Sequence, residues 1–149
     1  MDGLTGTLLG LFTEVAIVEH LVRTREEGRV EREMPAGHFG ILNYFALNHP
    51  GPDSLAGLAW AFQEDEDYTR GKVEALAARG LVSFDFDADD SLSAMVALTE
   101  EGRKAHAEVV ANMAPEIRMA VAEIPAEHLE ITFNTLRQIR LTLDNLPDR

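Results

Sequence analysis

Hydrophobic residues recur at helical spacing near the N-terminus and again toward the C-terminus. The N-terminal stripe predicts one long helix, and its members are Leu4, Leu8, Leu11, Val15, Val18 and Val22. A second set widens the apolar surface and consists of Leu9, Phe12, Ile17 and Leu21. So broad a surface needs more than one neighbour. It indicates either a helix buried within a monomer or a helix at a subunit interface.

Prolines and charged residues divide the other helical segments. Arg23 to Glu33 is predicted to be a charged connector. Pro35 is expected to begin a second helix, from Gly37 to Leu47. Pro115 lacks a backbone N–H, so we expect it to kink or split the helix around it. Ile124-Pro125 predicts a turn before a final amphipathic helix.

Two short helices joined by a turn are predicted in the middle of the chain. Asp53 or Ser54 can accept a hydrogen bond from the free amides of a first helical turn, so a helix is expected to begin there. A polar break at Gln63 and Glu64 ends it. The second helix is expected to stop at Gly80, because glycine suits the left-handed conformation after a helix end. Its inner face carries Thr69, Val73, Leu76 and Ala77.

A hairpin is predicted directly after this pair of helices. Leu81 to Phe86 and Ala94 to Leu98 are β-prone runs, and the polar residues from Asp87 to Ser93 lie between them. Helix, turn, helix and hairpin follow one another in the order of a winged helix-turn-helix.

Three motifs between Ala75 and His106 carry a family resemblance: Arg79-Gly80-Leu81-Val82, the acidic run Asp87 to Asp90, and Leu98-Thr99-Glu100-Glu101-Gly102-Arg103. In order and spacing they resemble the end of the recognition helix, the wing and the next helix of the MarR family of bacterial regulators. The resemblance implies a mainly α fold with a small β-hairpin wing. It also implies one domain over residues 1–149, in which 1–34 and 100–149 form a helical dimerisation region and 35–99 form the winged helix-turn-helix.

The resemblance implies a homodimeric, cytoplasmic transcriptional regulator that binds double-stranded DNA. In its register the DNA-contacting residues are Tyr68, Thr69, Arg70 and Lys72. Four arginines would add contacts to the DNA backbone: Arg23, Arg25, Arg29 and Arg32. Family members often bind small aromatic effectors, and the resemblance places such a pocket at Phe12, His20, Phe39 and Tyr44. The alternative for these four residues is ordinary core packing.

Charge complicates the DNA-binding hypothesis. The net charge is −13, and residues 50–102 contain twelve acids against three bases. The wing carries no base, although a carboxylate that faces a phosphate is repelled. Helix capping and solubility offer one explanation of these acids. The alternative function is therefore a MarR-fold protein that has lost ordinary DNA binding and acts on a basic protein partner, as an antirepressor or DNA mimic.

Other function classes find little support in the sequence. The 149 residues contain no cysteine, and the five histidines form no metal-binding motif, so we predict no enzyme, no metal site and no cofactor. No run was expected to approach the roughly 20 apolar residues that span a bilayer, so no membrane partner is predicted. Trp60 is expected either to pack against the wing or to contact a protein partner.

Overall fold

The computed structural model describes residues 1–30 and 34–147, without the side chains of residues 26–30 and 36. It confirms a mainly helical fold with a small antiparallel sheet. Within the described ranges the elements are α1 (Gly3–Val30), α2 (Ala36–Asn43), β1 (Asp53–Ser54), α3 (Leu55–Phe62), α4 (Glu66–Ala78), β2 (Val82–Phe84), β3 (Met95–Leu98), α5 (Glu100–Ala120) and α6 (Ala126–Asp144). The chain divides into two compact units, residues 1–109 and 110–149.

Helix α1 runs through most of the segment that was predicted to be a connector. It continues to Val30, because Arg and Glu are good helix formers, and Arg23 donates to Glu19 one turn earlier at 2.5 Å. The rest of that connector, residues 31–33, lies outside the described residues. The apolar side chains of α1 are largely exposed; Phe12, for example, is 45% exposed.

One expectation about α1 was wrong. Residues 3–25 are long and apolar enough, by length and composition, to cross a membrane, and the most apolar window is not buried. Length and composition alone do not distinguish a membrane span from a helix that packs against another protein.

Helix α2 begins directly after Pro35, as predicted. A π-helical turn, Tyr44–Asn48, extends it, so the helical segment ends one residue after the predicted Leu47. This segment supplies the largest side chains of the core, because Ile41 and Phe45 are almost completely buried.

Capping interactions fix the two helices that follow. The Ser54 hydroxyl accepts a hydrogen bond from the Gly57 amide at 2.9 Å, and Gln63 closes α3 in the left-handed conformation with a φ of 54°. The Asp65 carboxylate caps α4. Gly80 has a φ of 72°, which glycine adopts without strain. The predicted helix–turn–helix is therefore confirmed.

The sheet has three strands rather than the two expected. Its order is β1-β3-β2, and all neighbours are antiparallel. Strand β1 was missed because only two residues form it, and the same two residues lead into α3. The core between this sheet and helices α3 and α4 consists of six buried side chains: Leu55, Leu58, Val73, Leu76, Val82 and Val96.

Helix α5 continues through Pro115, which was expected to kink or split it; the helix is not split. Its first turn lies close to the base of the wing. Gly102 is buried there, and a Cβ atom at this position would overlap the Leu81 carbonyl. Helix α6 begins after Pro125, as predicted, and none of its residues is buried.

Candidate nucleic-acid interface

Helix α4 presents two of the four predicted DNA-contacting residues. Tyr68 is 62% exposed. Arg70 is half-buried; its guanidinium carbon lies 5.5 Å from the centre of the Phe84 ring, and Nη1 lies 3.9 Å from Glu74 Oε1. Phe84 on strand β2 therefore packs against the Arg70 side chain, which is 37% exposed.

Thr69 and Lys72, the other two, face the interior, which differs from the expectation for them. Thr69 has no exposed surface and Lys72 is only 7% exposed. The Lys72 ammonium donates to both carboxylate oxygens of Glu64, at 2.8 and 2.6 Å. The Thr69 hydroxyl donates to the same carboxylate at 3.0 Å. Glu64, in the turn between α3 and α4, thus pairs with Lys72, the only lysine of α4.

Other side chains enclose the Lys72 amine. It lies 4.7 Å from the centre of the Tyr68 ring and 5.7 Å from that of Phe62. A Cβ atom on Gly37 would lie 3.1 Å from Lys72 Cδ, so the lysine stem passes close to the start of α2. Burial, and then the charges of Lys72 and Arg79, lower the pKa of His38 below 6.5.

Glu64 is the residue that sequence reasoning missed. It was interpreted as part of a polar break and as one of the twelve acids attributed to capping, solubility or a basic partner, and no pairing with Lys72 was predicted. A signal was present, because Thr69 belonged to the predicted inner face and Lys72 is three residues further along the helix. A lysine whose charge is buried beside the inner face of a helix requires an acid close by, because an unpaired buried charge is costly.

The wing is acidic and held in a fixed position. Asp90 Oδ1 accepts hydrogen bonds from the amides of Leu92 and Ser93, and those bonds lower the pKa of Asp90. The Ser91 carbonyl accepts from the Ala56 amide at 3.0 Å, which ties the wing to the start of α3. The Asp90 carboxylate and the backbone at Ser91 consequently have a defined placement relative to α3.

Capping explains only some of the acids around this face. Asp65 accepts from the amides of Asp67 and Tyr68, and Asp90 closes the turn at the wing tip. Within the described part of the chain, several exposed acids show no such hydrogen bond, namely Glu66, Asp67, Asp85, Asp87 and Asp89. Their charge is directed to solvent or to a partner.

The four predicted effector-pocket residues do not share one site. Phe12 and His20 line a shallow groove along α1, whose other walls are also α1 side chains. Phe39 is buried and stacks on His106 with ring centres 5.5 Å apart. The Tyr44 hydroxyl donates to Asp53 at 2.9 Å. Phe39 and Tyr44 thus have packing roles, which was the alternative considered for them.

His106 links the start of α5 to α2. Its Nε2 lies 2.9 Å from Asn43 Oδ1, and its ring is almost parallel to that of Phe39. Burial lowers the pKa of His106 below 6.5, because an imidazolium loses hydration there. The ring therefore packs in its neutral form.

The predicted backbone-contacting arginines lie on α1 or just beyond it. Arg23 is paired with Glu19, and Arg25 is exposed. The side chain of Arg29 and the whole of Arg32 lie outside the described residues. Trp60, on α3, is 49% exposed, so it is only partly packed.

Solved transcriptional regulators share this backbone. The MarR family transcriptional regulator from Silicibacter pomeroyi has a TM-score of 0.75 at 18% identity, covering 91% of each chain. BldR from Sulfolobus solfataricus has a TM-score of 0.71 at 20% identity, over 93% of this chain and 99% of BldR. S. aureus MepR in its DNA-binding conformation has a TM-score of 0.67 at 16% identity, over 89% of this chain and 98% of MepR.

Neither protein-family models nor curated protein sequences match the chain. The structural likeness establishes a MarR-like winged-helix fold, and the function has to be argued from the side chains.

Proposed function

We propose that this chain is a homodimeric transcriptional regulator of the MarR type that contacts double-stranded DNA through α4. The observation that carries the proposal is the accessible pair Tyr68 and Arg70 on the second helix of a winged helix-turn-helix. In such a unit the second helix enters the major groove. A tyrosine hydroxyl can donate to a phosphate, and arginine can bind a phosphate or the edge of a guanine. Thr69 and Lys72 do not contact DNA directly in this proposal.

An Arg70→Ala variant tests this proposal. Binding of labelled DNA from the region upstream of the gene is measured by fluorescence anisotropy over a range of salt concentrations. Arg70→Ala should weaken binding and lower the salt slope by about two units if it removes one phosphate contact from each subunit of the dimer. Arg137→Ala removes the same charge from α6, outside the winged helix-turn-helix, and should bind like the parent protein when sedimentation shows the two in the same oligomeric state. A parent protein that shows no salt-sensitive binding even at low salt contradicts DNA binding.

Dimerisation rests on the exposed apolar surface of α1 and, separately, of α6. Val18 and Leu21 on α1 are 54% and 55% exposed, and Phe133 on α6 is 59% exposed. Contiguous apolar surface of this kind marks an interaction site. We assign it to a second copy of the chain, with residues 1–34 and 100–149 as the dimerisation region. Two α4 helices about one DNA turn apart, roughly 34 Å, would then face adjacent major grooves.

The small aromatic effector remains a proposal linked to that dimer. The groove that contains Phe12 and His20 has walls from α1 alone, so a second copy would have to close it. A regulator of this kind acts in the cytoplasm and is not an enzyme.

The exposed acids favour a second candidate function, in which the chain binds a basic protein instead of DNA. The wing places Asp85, Asp87 and Asp89 next to two exposed apolar side chains, Phe86 at 59% and Leu92 at 74%. Such a surface matches a basic partner that also offers apolar contacts, as expected of an antirepressor or a DNA mimic.

Binding of a lysine- and leucine-rich peptide, used as a probe, tests this second function. Replacing Asp85, Asp87 and Asp89 by Asn should abolish peptide binding. Replacing three exposed acids of the helices, Glu108, Glu127 and Glu130, by Gln should leave it unchanged. Equal losses in the two variants would show a general charge effect and contradict a specific surface.

A further inference from the structure

The Lys72 amine lies at the boundary between the interior and the exposed face of α4. Tyr68, one helical turn earlier, is exposed, and its ring covers the ammonium at 4.7 Å. Residues four apart on a helix are neighbours, so the side chain of Lys72 starts next to the exposed Tyr68 and not on the far side of the helix. The flexible stem of lysine permits the amine to move. Its present position is therefore set by what holds the amine inside.

Glu64 supplies that restraint. It offers both carboxylate oxygens to Lys72, and Thr69 satisfies a further lone pair of one oxygen. The side chains of Lys72 and Glu64 are 9% and 24% exposed, so water screens the pair only weakly. An ammonium that loses its carboxylate in such surroundings is strongly disfavoured and moves to solvent.

We propose that Glu64, in the turn before α4, withholds Lys72 from DNA and thereby lowers the DNA affinity of α4. This inference rests on the proposed DNA binding. With Lys72 neutralised, α4 offers a phosphate only Tyr68, Arg70 and the residues at its C-terminal end. The chain then binds DNA more weakly than the count of basic residues in α4 suggests. Release of Lys72 adds one phosphate contact per subunit without any change in the fold.

Lysine labelling tests the restraint without DNA. The chain has two lysines, and Lys104 on α5 is an exposed reference whose side chain is 62% exposed. Brief acetylation followed by mass spectrometry should modify Lys72 at least about tenfold more slowly than Lys104, a ratio equivalent to about 1.4 kcal/mol. Glu64→Gln should bring the two rates close together. Glu66→Gln removes an equal charge from an exposed neighbour and should leave Lys72 protected. Equal labelling of the two lysines in the parent protein overturns the inference.

DNA binding tests the consequence, with a mixed-sequence duplex of about 30 base pairs as the probe, long enough for two half-sites. Glu64→Gln should bind more tightly than Glu66→Gln, by roughly sixtyfold at 0.1 M salt, with a salt slope steeper by about 1.8, as one added phosphate contact from each of the two subunits predicts. Adding Lys72→Met to Glu64→Gln should return affinity to that of Glu66→Gln. Lys72→Met alone should bind like the parent protein.

The outcomes separate this inference from the proposed function. Equal affinities of Glu64→Gln and Glu66→Gln overturn the restraint while DNA binding stands. A roughly sixtyfold loss in Lys72→Met alone also overturns it, because Lys72 of each subunit would then contact DNA in the parent protein. No DNA binding by any variant overturns both proposals. Circular dichroism is used to check that each variant is folded. If Glu64→Gln is not folded, Lys72→Met provides a second test.

Discussion

Gly102 allows the first turn of α5 to lie against the base of the wing, and Gly102→Ala tests how much stability this close approach provides. The Gly102 amide donates to Thr99 Oγ1 at 3.0 Å, while that hydroxyl donates to the Gly80 carbonyl at 2.6 Å. An added Cβ would overlap the Leu81 carbonyl and lie 2.6 Å from Leu98 Cδ1. The leucine methyl can rotate away, but the carbonyl belongs to the backbone and cannot.

The expected magnitude follows from two opposing effects. Alanine gains up to about 1 kcal/mol in helix propensity over glycine. Forcing a methyl group into a packed site costs about 1–3 kcal/mol, and a backbone clash lies at the upper end. Gly102→Ala should therefore lower the free energy of unfolding by about 2 kcal/mol. For a chain of this size that corresponds to a loss of about 4–8 °C in Tm.

Gly71→Ala is the matched control. Gly71 lies in the interior of α4, is exposed, and has no heavy atom within 4 Å of an added Cβ. It should raise stability by up to about 1 kcal/mol, through propensity alone. Urea unfolding at one protein concentration gives both values, since the proposed dimerisation would make stability concentration-dependent. A Gly102→Ala variant as stable as Gly71→Ala would refute the close-approach argument.

Two further predictions concern pH and assembly. The pKa of His106 is lowered in the folded state, so the contribution of the neutral ring to stability is complete above pH 6.5 and is lost as the pH falls below 6.5. The urea midpoint of His106→Gln should therefore fall less steeply with decreasing pH than that of the parent protein. A His106→Gln profile identical to that of the parent would contradict a neutral buried ring. Val18→Glu should place a charge in the apolar surface of α1 and shift sedimentation toward the monomer, whereas Glu19→Gln, whose carboxylate pairs with Arg23, should keep the parent's behaviour. A Val18→Glu protein that remains dimeric would remove α1 from the interface.

Local signals determined much of the fold. The cap at Ser54, the break at Gln63 and the glycine at position 80 each act over a few residues, and all three lie where they were predicted. Apolar periodicity placed Thr69, Val73 and Leu76 on the inner face of α4, where the structure has them, but it missed Lys72, which is buried with them. The predictions were wrong where contacts between residues distant in sequence outweighed local sequence preferences. Pro115 lies within a continuous helix, and β1 exists only because Asp53 and Ser54 pair with the distant strand β3.

The candidate site shows the same division more sharply. The sequence by itself determined which charges lie on α4 and on the wing, because those follow from composition and element order. Only the tertiary structure decided which charges are available. Lys72 is neutralised by Glu64 from the preceding turn, and Arg70 rests on Phe84 from β2. Accessibility depends on neighbours brought together by folding, so a count of basic residues along a helix could not reveal it.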